Sequence, residues 1–393
     1  MSSSSSYLPQ SVYNPRRHVG IHKERVSDVS STEYPGHYPG EDNSWDLEKF
    51  KENLQVKVHR LSQRSIEFDI VGVDASIANA FRRILIAEAW MKRIPYPRYG
   101  SSSSPHQVPT IAIENVYVWN NTSIIQDEVF AHRLGLVPLN IDPALIDFRT
   151  ASGLNSAPND RNTLVFKLQV TCERAPKGSA KTYIHDEVTS GDLVWVPQGE
   201  QEAVFADNLP GPTNKNIVLA KLRPGQEVDM ELHAIKGVGK EHAKWSPVAT
   251  ATYRLHPLIV LNPQKPIPRH LAIKFANCFS PGVVDVTADG KITIDQYNMR
   301  KDSVSREVLR HEEFEGCVEL KRIRDWFIFS VESEGPYAPE RMLPEAIKVM
   351  RQKISSIRKA AQDLIADKSD LGTMPPPKLK AADGDEDVEM GDS

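Results

Sequence analysis

The chain has 393 residues, of which 40% are hydrophobic and 25% charged, with a net charge of -4. These values suit two ordinary soluble domains, or one domain with a large insertion, and with no run of about 18 apolar residues they exclude a membrane-spanning helix. Six of the last eleven residues are acidic (Asp383, Asp385, Glu386, Asp387, Glu389 and Asp392), so removing those charges leaves the rest of the chain at +2, without the basic footprint of a protein that grips phosphate backbones by itself.

Residues 1–44 are rich in Ser, Tyr, Pro and Gly without hydrophobic period and read as a flexible arm, with order expected from Trp45. Met1 to Tyr7 lack the layout of a secretory signal, which places the protein in a reducing compartment. Leu54, Val56 and Val58, then Ile66, Phe68 and Ile70, alternate as half-buried strands around a turn at Ser62 and Gln63. Asp74 stands in the N-cap position of a helix with apolar residues Ile77, Ala80, Phe81, Ile84, Leu85 and Ala89. Pro95, Pro97, Gly100 and Pro105 make the next stretch a loop.

Strand-like alternation returns at Ile111–Val118, Leu164–Cys172, Ile217–Leu222 and Val228–Ala234, so the middle third is expected to be mostly β. Further short strands are expected around Arg254–Leu261, Ala272–Phe275, Lys291–Asp295 and Trp326–Val331. The chain then reads as one long helix, in which Leu343, Ile347, Met350, Ile354, Ile357, Ala361 and Leu364 follow a heptad seam and Pro344 sits in the first turn. Such a seam serves either as an internal core or as a surface for a partner. The acidic end from residue 371 reads as a solvated tail.

No catalytic constellation survives inspection. Gly239-Lys240 resembles the end of a phosphate-binding loop, but Ala234 replaces its first glycine and Glu241 its hydroxyl residue. His311-Glu312 lacks the second histidine of a zinc-protease helix, and Leu134 stands where His132-Arg133 would need the aspartate of a kinase loop. Cys172, Cys278 and Cys317 lie far apart with no C-x-x-C pair, so neither a disulfide framework nor a metal site is expected. A nucleic-acid-binding reading rests on Arg16, Arg17 and Lys23 in the arm and has the near-neutral body against it.

Three stretches carry a family resemblance. Val73-Asp74-Ala75-Ser76-Ile77-Ala78-Asn79-Ala80-Phe81-Arg82-Arg83-Ile84-Leu85-Ile86-Ala87-Glu88 resembles the first dimerisation helix of RNA polymerase α-type (D-type) subunits. The stretch from Asn120 to Leu139, with Gln126, Asp127, Glu128, His132 and Arg133, is similar to the family's approach to its inserted domain, and Gly239 to Pro247, with Lys240, His242, Lys244 and Trp245, to the return from it. Within the family, Lys221–Glu227 and Arg300–Arg310 resemble the form common to polymerases I and III. The polymerase II form usually carries a four-cysteine zinc site in the insert, where this chain has only Cys172. The segment from Trp90 to Gln107 departs from the family by interrupting its direct helix-to-strand step.

The resemblance implies an α+β fold. A discontinuous α-type dimerisation domain (45–118 and 248–370), made of a sheet plus the first and last helices, would enclose an inserted mostly-β domain (119–247). It also implies a non-catalytic nuclear and nucleolar scaffold with no cofactor. Its partner would be the smaller α-like subunit, and the pair a platform for the two large catalytic subunits and small common assembly subunits. Nucleic acid would be contacted by the complex rather than by this chain. Ile77, Phe81, Arg82, Arg83, Leu85, Ile347, Met350, Ile354, Ile357, Ala361 and Leu364 are the interface residues it implies. Arg82 and Arg83 point about 100° apart on a helix and serve different neighbours.

Overall fold

A computed structural model describes residues 17–30, 32–33, 39–40, 42, 44–86, 107–149, 157–176 and 182–371, with side chains in the final helix up to Asp363 and at Ile365. The path opens with a short hairpin, β1 (His18–Ile21) and β2 (Val26–Ser27). Helix α1 (Leu47–Asn53) starts at Asp46, whose carboxylate accepts the Glu48 and Lys49 N–H groups. β3 (Gln55–Leu61) and β4 (Ser65–Val71) pair antiparallel through a turn closed by the Ser62 N–H on the Ser65 carbonyl at 2.8 Å. α2 (Ala75–Ile86) begins at Asp74, which accepts the Ser76 N–H at 2.9 Å. Between α1 and α2 the chain folds back so closely at Gly72 (φ +83°) that a Cβ would lie 2.3 Å from the Asn53 carbonyl oxygen, a place for glycine alone.

β5 (Thr110–Asn121), α3 (Asp127–Gly135), β6 (Thr163–Thr171), β7 (Leu193–Val196) and β8 (Glu227–Gly237) form the middle third. β9 (Val248–Leu261), α4 (Ala272–Asn277), β10 (Val318–Ser333) and α5 (Met342–Leu371) follow. The first sheet has the order β2-β1-β10-β4-β3, with β9 on the other edge of β10. β1 meets β10 at residues 320–323 and β4 meets it at 326–332, so the two occupy successive stretches of one edge. The second sheet has the order β7-β6-β8-β5.

One face of the first sheet is covered by α2 and the start of α5, where Ala78, Ile84 and Leu85 meet Met342, Ala346 and Val349 over Phe68 and Phe329. The Phe68 and Phe329 rings stack at 5.2 Å, and burying each such side chain contributes about 2–3 kcal/mol. The opposite face carries the segment between β9 and β10, with Phe275, Met299 and Phe314 packed on Leu258, Leu320 and Ile323. The second sheet builds its own core from Phe130, Leu134, Phe166, Leu168, Met230 and Leu232.

This is the expected α+β arrangement of two sheets with the first and last helices on one of them, with three corrections. The arm over residues 1–44 is not wholly free, because His18–Ile21 adds a strand to β10; four residues bounded by charges give no readable period, and the long central strand supplies the pairing. Ala272–Asn277 is a helix rather than a strand: Ala272, Phe275 and Phe279 recur at three-and-four spacing in one core, which a four-residue window cannot separate from alternation. The expected division at 118/119 falls inside β5, which pairs with β8 from Thr110 to Asn121. Residues 1–16, 87–106 and 372–393, which hold the start of the arm, most of the loop from Trp90 and the acidic tail, lie outside the described residues.

Candidate partner interface

Helix α5 changes character along its length. Its buried stripe is Met342, Ala346 and Val349, one position away from the heptad seam read from the sequence. The seam therefore runs along the edge of the core: Leu343 and Met350 are half-buried, Ile347 is 41% exposed, and Ile354 and Ile357 are 56% and 52% exposed. Ala361 is exposed, and the Leu364 side chain lies outside the described residues. On α2, Ile77 and Phe81 are half-buried against the same core as Leu343 and Met350. Leu85 does not belong with them. It is 1% exposed, inside the internal core, and has no surface to offer a partner; a 3.6-residue period assigns residues to the apolar side of a helix without separating its centre from its flank.

The apolar surface continues onto the sheet. Val56, Val58 and Leu61 of β3 pair with Ile70, Phe68 and Ile66 of β4, and cross-strand partners share a face. The face that α2 and α5 cover over β4 is left open over β3, where Val56 and Val58 are more than half exposed. Sequence alternation read Val56 and Val58 as half-buried strand, and it could not show that β3 is an edge with nothing above it. Exposed Ile347, Ile354 and Ile357, half-buried Ile77 and Phe81, and exposed Val56, Val58 and Leu61 thus lie on one side of the first sheet. Patches of this kind mark interaction surfaces.

The two arginines of α2 diverge as the helix geometry requires. Arg82 bonds the Asn79 side chain at 3.1 Å and lines a cleft of about 580 Å³ with Ile86, Leu136, Leu139 and Lys244. Arg83 does not line it.

The second and third family stretches meet where the two sheets join. Gln126 precedes α3 without a side-chain cap bond, and Asp127 accepts the Asn121 amide at 2.6 Å. Arg133 donates to the Val218 and Leu219 carbonyls at 2.9 and 3.0 Å. Lys244 donates to the Ile113 carbonyl at 2.8 Å, pairs with Glu114 and lies 4.6 Å from the Trp245 ring centroid. Trp245 is buried, donates to the Ile235 carbonyl and sits so near Gly237 that a Cβ there would lie 2.4 Å from its ring. His242 Nδ1 accepts the Lys244 N–H, and the His132 and His242 rings are 6.1 Å apart. Lys240 contributes its backbone N–H to the Gln107 side chain, while Glu128 is exposed. Most of these residues therefore serve the junction itself. A further tie joins it to α5: Arg341 bonds Asp142 at 2.8 Å, and although burial alone would raise the Asp142 carboxyl, the Ala144 N–H and the Arg341 guanidinium hold it below its ordinary value.

Among the described residues no cluster of three or more His, Cys, Asp or Glu side chains could hold a metal ion, and Cys172, Cys278 and Cys317 are buried thiols, Cys172 and Cys278 pushed up by burial. Arg17, one of the arm's basic residues, is engaged with Asp325 at 3.3 Å.

Residues 116–252 match the RNA polymerase Rpb3/RpoA insert domain. The chain is 42% identical over 351 residues to the DNA-directed RNA polymerases I and III subunit RPAC1 of Mus musculus, covering 88% of this chain and 95% of that one. The Saccharomyces cerevisiae protein of the same description is 42% identical, covering 86% and 97%. The DNA-directed RNA polymerase II subunit rpb3 of Dictyostelium discoideum is more distant, at 31% identity over 77% of this chain and 93% of its own.

Proposed function

This chain belongs to the family of α-like RNA polymerase subunits that includes the RPAC1 proteins, and on that premise we propose that it is a non-catalytic assembly subunit of DNA-directed RNA polymerases I and III. Nucleotidyl transfer belongs to the complex, and the chain serves the transcription of ribosomal, 5S and transfer RNA genes. It acts in the nucleus, and its polymerase I share in the nucleolus. In this reading the first sheet with α2 and α5 is the dimerisation unit and the second sheet is the insert. The smaller α-like subunit covers the apolar side formed by Phe81, Ile347, Ile354, Ile357 and β3, and the pair then receives the two large catalytic subunits and the small common ones.

The supporting observation is the uncovered stripe on α5. An isolated chain gains nothing by holding Ile354 and Ile357 in water, and, both being about half exposed, each returns about 1 kcal/mol when a partner buries the rest of it. Affinity purification from nuclear extract, with the co-purifying chains identified by mass, tests the reading: a smaller α-like subunit and the large subunits of polymerases I and III are expected together. Recovery of polymerase II large subunits alone, or of none, contradicts it.

A further inference from the structure

The first sheet is split along one edge of its central strand. β1 ends its pairing on β10 at Ile323 and β4 begins at Trp326, leaving Arg324 and Asp325 between them. The backbone bridges the gap, with the Arg324 N–H on the Arg17 carbonyl at 2.9 Å and the Gly72 N–H on the Asp325 carbonyl at 2.8 Å. The side chains do not close it. A cavity of about 830 Å³ lies there, between the β1–β2 hairpin, the first turn of α2 and residues 304–306.

Its polar lining is Arg17, Arg306, Arg322 and Arg324 against Asp74 and Asp325. Both carboxylates are already engaged, Asp325 by Arg17 and Asp74 as the cap of α2. Among the described residues no carboxylate forms an ion pair with Arg306 or Arg322, and Arg322 Nε is buried without a hydrogen-bond partner. Arg306 sits at φ 62°, a conformation sparsely populated by residues other than glycine. Apart from Asn53 and Gly72 the rest of the lining is aliphatic, including Val19, Ile21, Val26 and Leu255. A guanidinium presents a planar fork that matches a carboxylate, and burying one without an anion is unfavourable.

We infer that this cleft receives an extended acidic segment of another protein chain, with carboxylates on Arg306 and Arg322 and aliphatic side chains against Val19, Ile21 and Val26. The two-residue edge strand β2 beside it leaves backbone groups with which such a segment can pair. A nucleic acid fits less well. No aromatic ring lines the cleft to stack a base, and Asp74 and Asp325 oppose phosphates. The inference stands apart from the polymerase reading, since it uses neither α5 nor the exposed face of β3.

The test titrates the full-length chain against a fluorescein-labelled peptide of about twelve residues alternating Glu or Asp with Leu or Val, read by anisotropy. Saturable binding that weakens about tenfold in Arg306→Gln and in Arg322→Gln is expected, with Arg306→Lys between them and wild type. Each variant is first shown to melt cooperatively, and Arg306→Gln carries the test if Arg322→Gln does not fold. Wild-type affinity in a folded Arg306→Gln chain overturns the inference, as does equal binding of a peptide with Gln and Asn in place of its acids. Displacement of the peptide by a lower concentration of a single-stranded oligonucleotide of the same length overturns it in favour of a phosphate-backbone site. Neutralising Asp385, Glu386, Asp387 and Glu389 to their amides in the full chain separates the last alternative. Unchanged peptide affinity is expected, whereas a gain of about tenfold or more assigns the cleft to this chain's own tail.

Discussion

The two sheets differ in what they do with their apolar and motif residues. In the second, Phe130, Phe166, Met230 and Leu232 are sealed in one core, and Arg133, Lys244 and Trp245 are turned inward to bind the chain's own carbonyls. In the first, the same face that buries Phe68 under α2 and α5 runs on over β3 uncovered, and the helix that seals it projects past its own core. The second sheet also leaves Trp119 and Val194 exposed, but it turns its motif residues to the chain's own carbonyls; the contiguous open face of the first sheet is the ground on which we propose that sheet as the one that meets a partner.

That contrast breaks if residues on its two sides behave alike. The largest effect is expected inside the first core: Leu85→Asp strands an unpaired charge at a 1% exposed site, costs about 4–5 kcal/mol and abolishes the cooperative melt. A normal melt would return Leu85 to the partner surface. Next comes Trp245→Ala, which empties a buried site against Gly237 and costs about 3–5 kcal/mol by calorimetry. Partner affinity measured on its folded fraction should stay within about threefold of wild type if the residue works only inside the chain.

A smaller effect depends on pH. His256 lies under the segment between β9 and β10, 4.1 Å from Trp326 by ring centroids, and burial, opposed by Asp69, lowers its pKa from 6.5 to about 4. The unfolded chain takes up this proton as pH falls through 6.5, whereas the folded chain resists until about 4. Stability from this group is therefore complete above 6.5 and is lost between 6.5 and 4, by about 3 kcal/mol in all. His256→Phe should flatten that part of the profile in denaturant titrations at pH 7 and pH 5. An unchanged slope would place the loss elsewhere. The smallest effect on stability is expected from Val58→Asp on the open face of β3, below about 1 kcal/mol, together with a loss of partner affinity. Partner binding at wild-type strength would remove β3 from the surface.

Much of this contrast was legible in the sequence and part of it was not. Helix α2, with Asp74 as its cap, and the seam of α5 follow from spacing, because a three-and-four period is long enough in both to exclude alternation. The β3–β4 hairpin followed equally from period two. Which flank of each helix is covered did not follow, since Leu85 and Phe81 have the same period and differ only in what lies above them. β1 was missed because its stability lies in β10, about 300 residues away, and not in its own four residues. The split-edge cleft was missed for the same reason, as Arg17, Arg306, Arg322 and Arg324 converge only through that pairing.

The most direct measurement compares Ile354→Asp and Lys359→Asp for affinity toward the smaller α-like subunit, after circular dichroism and a cooperative melt show both chains folded. Both positions are exposed on the same helix and differ in whether an apolar contact is lost. Ile354→Asp is expected to lose about 3 kcal/mol, more than a hundredfold in affinity, and Lys359→Asp less than about 0.5 kcal/mol. Equal, near-wild-type affinities for the two folded variants would contradict the assignment of the open face to the partner.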